Sequence, residues 1–73
     1  MNSNHYNPSA LVKWRNEAGQ TQDQIARELS VDRNTISRAE TGKNASFELL
    51  TGLCKLYGKT MHELIHSEPA AAK

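Results

Sequence analysis

One cysteine, one tryptophan, one phenylalanine, two prolines and four glycines are all that the 73 residues contain of these types. Cys54 cannot close an internal disulfide and offers at most one soft metal ligand, so both common staples of small domains are excluded. Long apolar runs are missing too. No stretch approaches the roughly 20 apolar residues of a membrane span, and the start, MNSNHYNPSA, has neither the basic end nor the apolar core of a signal peptide. A cytoplasmic protein with no membrane partner is the expectation. Charge of one sign is also scarce: nine Lys and Arg against eight Asp and Glu leave a formal +1. That is too little for bulk attraction to phosphates, which scales with the number of cationic contacts. What is present is 37% hydrophobic and 23% charged residues, the balance of a small globule rather than of a disordered chain. The length holds one domain with one core, which rules out a two-domain enzyme. Helix packing, with or without a second subunit, must supply the stability.

Three of the four glycines stand where a helix should end. Asn7-Pro8 reads as an N-cap followed by proline at the first helical position, and Leu11, Trp14 and Ala18 mark one face before Gly19. Thr21-Gln22-Asp23-Gln24 has the form of a capping box opening a second helix to about Leu29. Ser30-Val31 interrupts it. Asp32 is placed to cap a third helix reaching Glu40 or Thr41, stopped by Gly42. Ser46 can cap a fourth to about Tyr57, ended by Gly58, and Thr60-Met61-His62-Glu63 is a second capping box opening a fifth. The expectation is an all-α, five-helix domain over residues 7–66, flanked by mobile tails at 1–6 and 67–73. No repeat occurs, and no segment alternates as a strand does.

On the second and third helices, apolar or small residues stand at Ile25, Ala26, Leu29, Val31, Ile36 and Ala39, defining two short faces that can cross closely at Ala26. The other side of the third helix is wholly polar: Arg33, Asn34, Ser37, Arg38 and Thr41. An ordinary solvated face is rich in Glu and Lys at pairing distance. This one has neither. Its side chains have the fork or amide geometry that matches base edges, Arg to guanine and Asn to adenine. Taken alone, the face is as compatible with an ordinary helix surface as with a reader of bases.

The stretch LVKWRNEAGQTQDQIARELSVDRNTISRAETGK, followed by SFELLTGLCKLYGKTMHELI, resembles the lambda-repressor and Cro-type helix-turn-helix family over residues 11–65. The resemblance implies a five-helix DNA-binding fold whose third helix lies in the major groove. By it, Arg33, Asn34, Ser37 and Arg38 face bases, while Thr21, Gln22, Lys43 and Asn44 touch phosphates. Gln22 would also brace the recognition helix. The free N–H groups opening the second helix favour an anion there independently. Arg15 and Glu40 match a pair linking helices one and three, against the plainer readings of a phosphate contact for Arg15 and surface charge for Glu40. Departures are visible. Ser30 replaces the usual turn glycine, so it must tolerate a strained backbone or an altered turn. Ala39 is small for its place, with Trp14 a candidate to fill the space. The loop from Lys43 to Ser46 is about one residue short and lacks its proline. Asp32 is tolerable near phosphates if its carboxylate is engaged as a cap.

His62-Glu63-Leu64-Ile65-His66 matches the H-E-x-x-H pattern of zinc proteases. A catalytic zinc needs a third ligand and a cleft, and no His, Asp or Cys follows His66. Glu63 has a simpler use in the Thr60 capping box, with Leu64 and Ile65 packing inward. No enzyme activity, cofactor or metal is therefore expected, and Cys54 reads as a buried, inert thiol. On helix four, Phe47, Leu50, Leu53, Cys54 and Tyr57 form the expected core face. Leu49 and Leu56 lie outside it, with broader burial of the helix and a homodimer interface as the two readings. A two-fold dimer would set two recognition helices about 34 Å apart on an inverted repeat. The function expected is a sequence-specific regulator of transcription, a repressor or controller protein. The competing reading is an antitoxin-like module that binds a protein partner and regulates itself through DNA.

Overall fold

The computed structural model describes residues 6–43 and 45–66. Asn44 and the expected tails, Tyr6 apart, lie outside the described residues. Helices span α1 Pro8–Glu17, α2 Gln22–Leu29, α3 Arg33–Glu40, α4 Phe47–Tyr57 and α5 Met61–His66. There is no strand among the described residues. The chain is all-α, as its spacing implies.

The helix starts follow the capping chemistry of the sequence. The Asn7 side chain accepts from the Ser9 N–H at 3.2 Å. The Thr21 box closes in both directions, with Thr21 Oγ1 accepting from the Gln24 N–H at 3.1 Å and Gln24 Oε1 accepting from the Thr21 N–H at 2.8 Å. Ser46 Oγ accepts from the Leu49 N–H, and Thr60 Oγ1 from the Glu63 N–H. Asp32 is the exception. It holds the N-cap position of α3 but makes no side-chain capping bond, so its carboxylate is not engaged in the way the sequence leads one to expect.

Four helix ends use one device. At each, a residue in the left-handed region turns the chain so that the next N–H reaches back to a carbonyl five residues earlier: Gln20 to Arg15, Val31 to Ala26, Lys43 to Arg38, and Lys59 to Cys54. Glycine supplies the turn at 19, 42 and 58, but Ser30 supplies it between α2 and α3, at φ 59° and ψ 43°. A Cβ there costs about 1–2 kcal/mol, partly offset because glycine loses roughly 0.5–1 kcal/mol more on folding. Ser30→Gly is thus expected to stabilise the domain by roughly 0.5 kcal/mol and Ser30→Val to destabilise it. Urea midpoints that coincide for all three forms would show that the turn is not constrained at this residue.

The core takes one fully buried large side chain from every helix: Leu11, Ile25, Ile36, Leu53 and Leu64. Small residues let the helices approach around them, with Ala10, Ala26 and Ala39 all buried. α3 packs between α1 and α2, and α4 and α5 close the other side of α1.

Four expectations about packing are corrected. Phe47 is 70% exposed, outside the core in which it was expected, while Leu49 is buried, in keeping with the broader burial of the fourth helix that was one of its two readings. Phe47 lies on the same line of α4 as Cys54, seven residues on, but only the Cys54 end is covered, where the thiol meets the Thr60 carbonyl and the Met61 sulfur. Leu49 falls one turn before Leu53 and shares its buried side. Ile65 is 43% exposed while Leu64 is fully buried, because a helix of one and a half turns offers the core a single narrow line. Ala18 is exposed, just past the last turn of α1. Tyr6, expected in the tail, packs on the core and donates its hydroxyl to the Ala39 carbonyl at 2.7 Å.

Candidate nucleic-acid interface

α3 has a buried side and an exposed side, with Thr35 and Ser37 half-buried at the boundary. Ile36, Ala39 and Glu40 are buried, while Arg33, Asn34 and Arg38 are exposed and Ser37 is half-buried beside them. Thr41 continues the outward face, its hydroxyl donating to the Arg38 carbonyl at 3.0 Å. Arg33 Nε stands 3.8 Å from Asp23 Oδ1 with both side chains about two-thirds exposed, a contact too wet to hold either group. The face therefore carries two exposed guanidinium groups and a primary amide, and no carboxylate of α3 itself. The sole acid of α3 points inward.

That acid is the fixed point of the motif. Glu40, with 4% of its side chain exposed, accepts from Arg15 Nε at 2.6 Å and from Arg15 Nη2 at 3.2 Å. Gln22 Nε2 donates to Glu40 Oε1 at 2.9 Å. One carboxylate on α3 thereby ties down α1 and the first turn of α2. Arg15 is held in turn by the Gln20 carbonyl, which accepts from Nη1 at 2.9 Å. The hydrogen bond to Glu40 raises the Arg15 pKa against the opposing effect of burial, so the cation persists at any working pH. The Gln20 contact carries no sequence signal, since every residue offers a carbonyl.

Tyr57 closes the clamp from α4. Its hydroxyl is buried with no hydrogen-bond partner among the described residues, and its pKa is pushed up to about 12, first by burial and then by Glu40, with Arg15 acting the other way. The fold favours the neutral phenol. Stability from this group is complete below the ordinary value of 10 and is lost as pH rises through about 12. Tyr57→Phe removes the orphaned hydroxyl and should stabilise the domain by about 1 kcal/mol, while flattening the loss between those two pH values. Melting curves of both forms across that range test it, and identical alkaline profiles would move the titration to another group.

Around the face, Lys43 and Thr21 are exposed and Gln22 is half-buried, its amide already engaged by Glu40. The Thr21 hydroxyl accepts from the Gln24 N–H, leaving the first N–H groups of α2 open to an anion. His62 and His66 lie on the exposed side of α5 with ring centroids 4.5 Å apart. Among the described residues no group of three or more His, Cys, Asp or Glu is placed to hold a metal. The buried Cys54 thiol has its pKa raised, first by burial and then by Glu63. No helix among the described residues is long and apolar enough to cross a membrane.

Two short helices joined by three residues, the second showing a polar face and clamped from beneath, define a helix-turn-helix protein. The chain belongs to the helix-turn-helix domain family, whose model matches residues 10–65. No curated protein and no solved structure matches it.

Proposed function

We propose that this protein binds double-stranded DNA sequence-specifically and regulates transcription as a homodimer on an inverted repeat. One observation carries the reading: the exposed side of α3 is free of acids and holds Arg33, Asn34 and Arg38, while Glu40 fixes the same helix from within. A rigid helix with paired hydrogen-bonding groups facing outward is what base reading in a major groove requires. Arg33, Asn34, Ser37 and Arg38 contact bases in this reading. Thr21, Gln22, Lys43 and Asn44 contact phosphates, and the protein acts in the cytoplasm on the chromosome or another replicon, as a repressor or controller. The low net charge supports discrimination over bulk attraction, because few phosphate contacts leave non-specific binding weak. Selection from a random duplex pool, followed by sequencing, tests the proposal. Enrichment of a palindrome is the expected result. A pool that stays random would sink it and favour the protein-binding reading.

A further inference from the structure

Two imidazoles face solvent together on α5. His62 and His66 stand one turn apart on its exposed side, with ring centroids 4.5 Å apart and ring planes at 39°. Neither ring has a hydrogen-bond or ion-pair partner among the described residues, and a neutral imidazole then has a lone pair to give. The separation has a chemical meaning. An ion about 2.0–2.1 Å from one nitrogen of each ring lies about 3.2 Å from each ring centre, so two coordinated rings have centres about 4.5 Å apart at a ligand angle of about 90° and about 5.2 Å apart at the tetrahedral angle. The observed value falls at the square-planar or octahedral end of that range. Exposed rings bring their nitrogens to one point by turning about the outer side-chain bond, whose energy is shallow. The sequence expectation of no metal followed from the needs of a catalytic zinc, a third ligand and a cleft. A chelate needs neither, because water completes the shell.

We propose that His62 and His66 chelate one divalent transition-metal ion of the class Ni²⁺, Cu²⁺ and Zn²⁺, and that the ion clamps α5. Imidazole suits these ions, whereas Mg²⁺ demands oxygen ligands and is not held. The two rings meet only while the residues between them are helical, since an extended chain carries positions four apart about 13 Å from each other. The ion therefore binds the folded chain as a chelate and the unfolded chain through one imidazole at a time. Leu64 lies between the two ligands. Its side chain is fully buried, and its carbonyl accepts from the Asn7 N–H at 3.1 Å. A clamp across this six-residue helix thus acts on the joint where the end of the domain holds its beginning, and it does so whether or not the protein binds DNA.

Calorimetric titration of the full chain with Ni²⁺ and with Zn²⁺ should show one ion per chain, and Mg²⁺ should give no binding. His62→Gln and His66→Gln should each weaken Ni²⁺ binding about tenfold or more, because each loses the second ligand that the helix holds at high effective concentration. His5→Gln, which removes the remaining histidine, should leave binding unchanged. Both ring positions are exposed, and circular dichroism checks that every variant is folded. At free Zn²⁺ tenfold above its Kd, the unfolding constant in urea should fall about tenfold for the parent and stay unchanged for His66→Gln. No binding of Ni²⁺ or Zn²⁺ up to about 1 mM overturns the proposal, as does binding that follows His5 or that neither α5 variant weakens. Binding that needs both histidines but leaves the parent's unfolding constant where it was overturns the clamp.

Discussion

Glu40→Ala is expected to lower the unfolding free energy by about 3 kcal/mol, as large as the loss from truncating a buried aliphatic side chain. Removing the carboxylate leaves Arg15 as a guanidinium with 15% of its side chain exposed and only the Gln20 carbonyl to face. Gln22 loses its acceptor at the same time. A domain of this length has about 4–11 kcal/mol in all, so the variant should melt far below the parent and bind DNA weakly at ordinary temperature. Glu40→Gln keeps an acceptor without its charge and should fall between the two. Replacing Arg15 and Glu40 together with Met and Leu should cost less than Glu40→Ala alone, because no charge is then left buried. Urea denaturation of the four forms gives the ranking. If Glu40→Ala unfolds at the parent's urea concentration, the clamp contributes nothing and α3 is held by Ile36 and Ala39 alone.

Asn34→Ala and Arg38→Ala should each cost about 1–3 kcal/mol per half-site on the preferred operator and relax preference at one base position. In a dimer bound to both halves the loss doubles, about 2–6 kcal/mol. Both side chains are exposed and neither enters the Glu40 network, so truncation should leave folding intact. Lys43→Ala is the control. If Lys43 meets a phosphate, its loss weakens all sequences alike and lowers the salt slope by about one unit per contact. The decisive data are affinities across single-base variants of the operator at two salt concentrations. A uniform drop for Asn34→Ala and Arg38→Ala across every variant would mean that α3 does not read bases in this orientation.

The helices were legible because their ends are written in short-range chemistry: Pro8, the Thr21 box and three end glycines act within one turn and need no partner. The inward faces of α2 and α3 followed from periodicity for the same reason. α4 was harder. Phe47 and Cys54 share a line on the helix, and only the arrival of Thr60 and Met61 decides which of them is covered, a tertiary fact that spacing does not contain. Asp32 shows the converse limit, since the right residue at the right position still makes no capping bond. At the candidate interface, residue types and spacing indicated the outward face and the resemblance indicated the Arg15 and Glu40 pair. The orphaned Tyr57 hydroxyl was not legible. It arises where α4 brings Tyr57 beside Trp14 and the Arg15 and Glu40 pair, and a tyrosine in a core-facing series gives no sign of whether its oxygen will find a partner.

The core, one large side chain from each of five helices, also governs how the molecule comes apart. Among the described residues no helix exceeds 11 residues, and segments of that length are marginal alone in water. Each helix therefore draws most of its persistence from packing on the others. The backbone amides of α3, held by buried Ile36 and Ala39, should exchange their hydrogens through openings close to the global one, while those of the six-residue, mostly exposed α5 should exchange through cheaper local fraying. The reading surface borrows its order from the core beneath it.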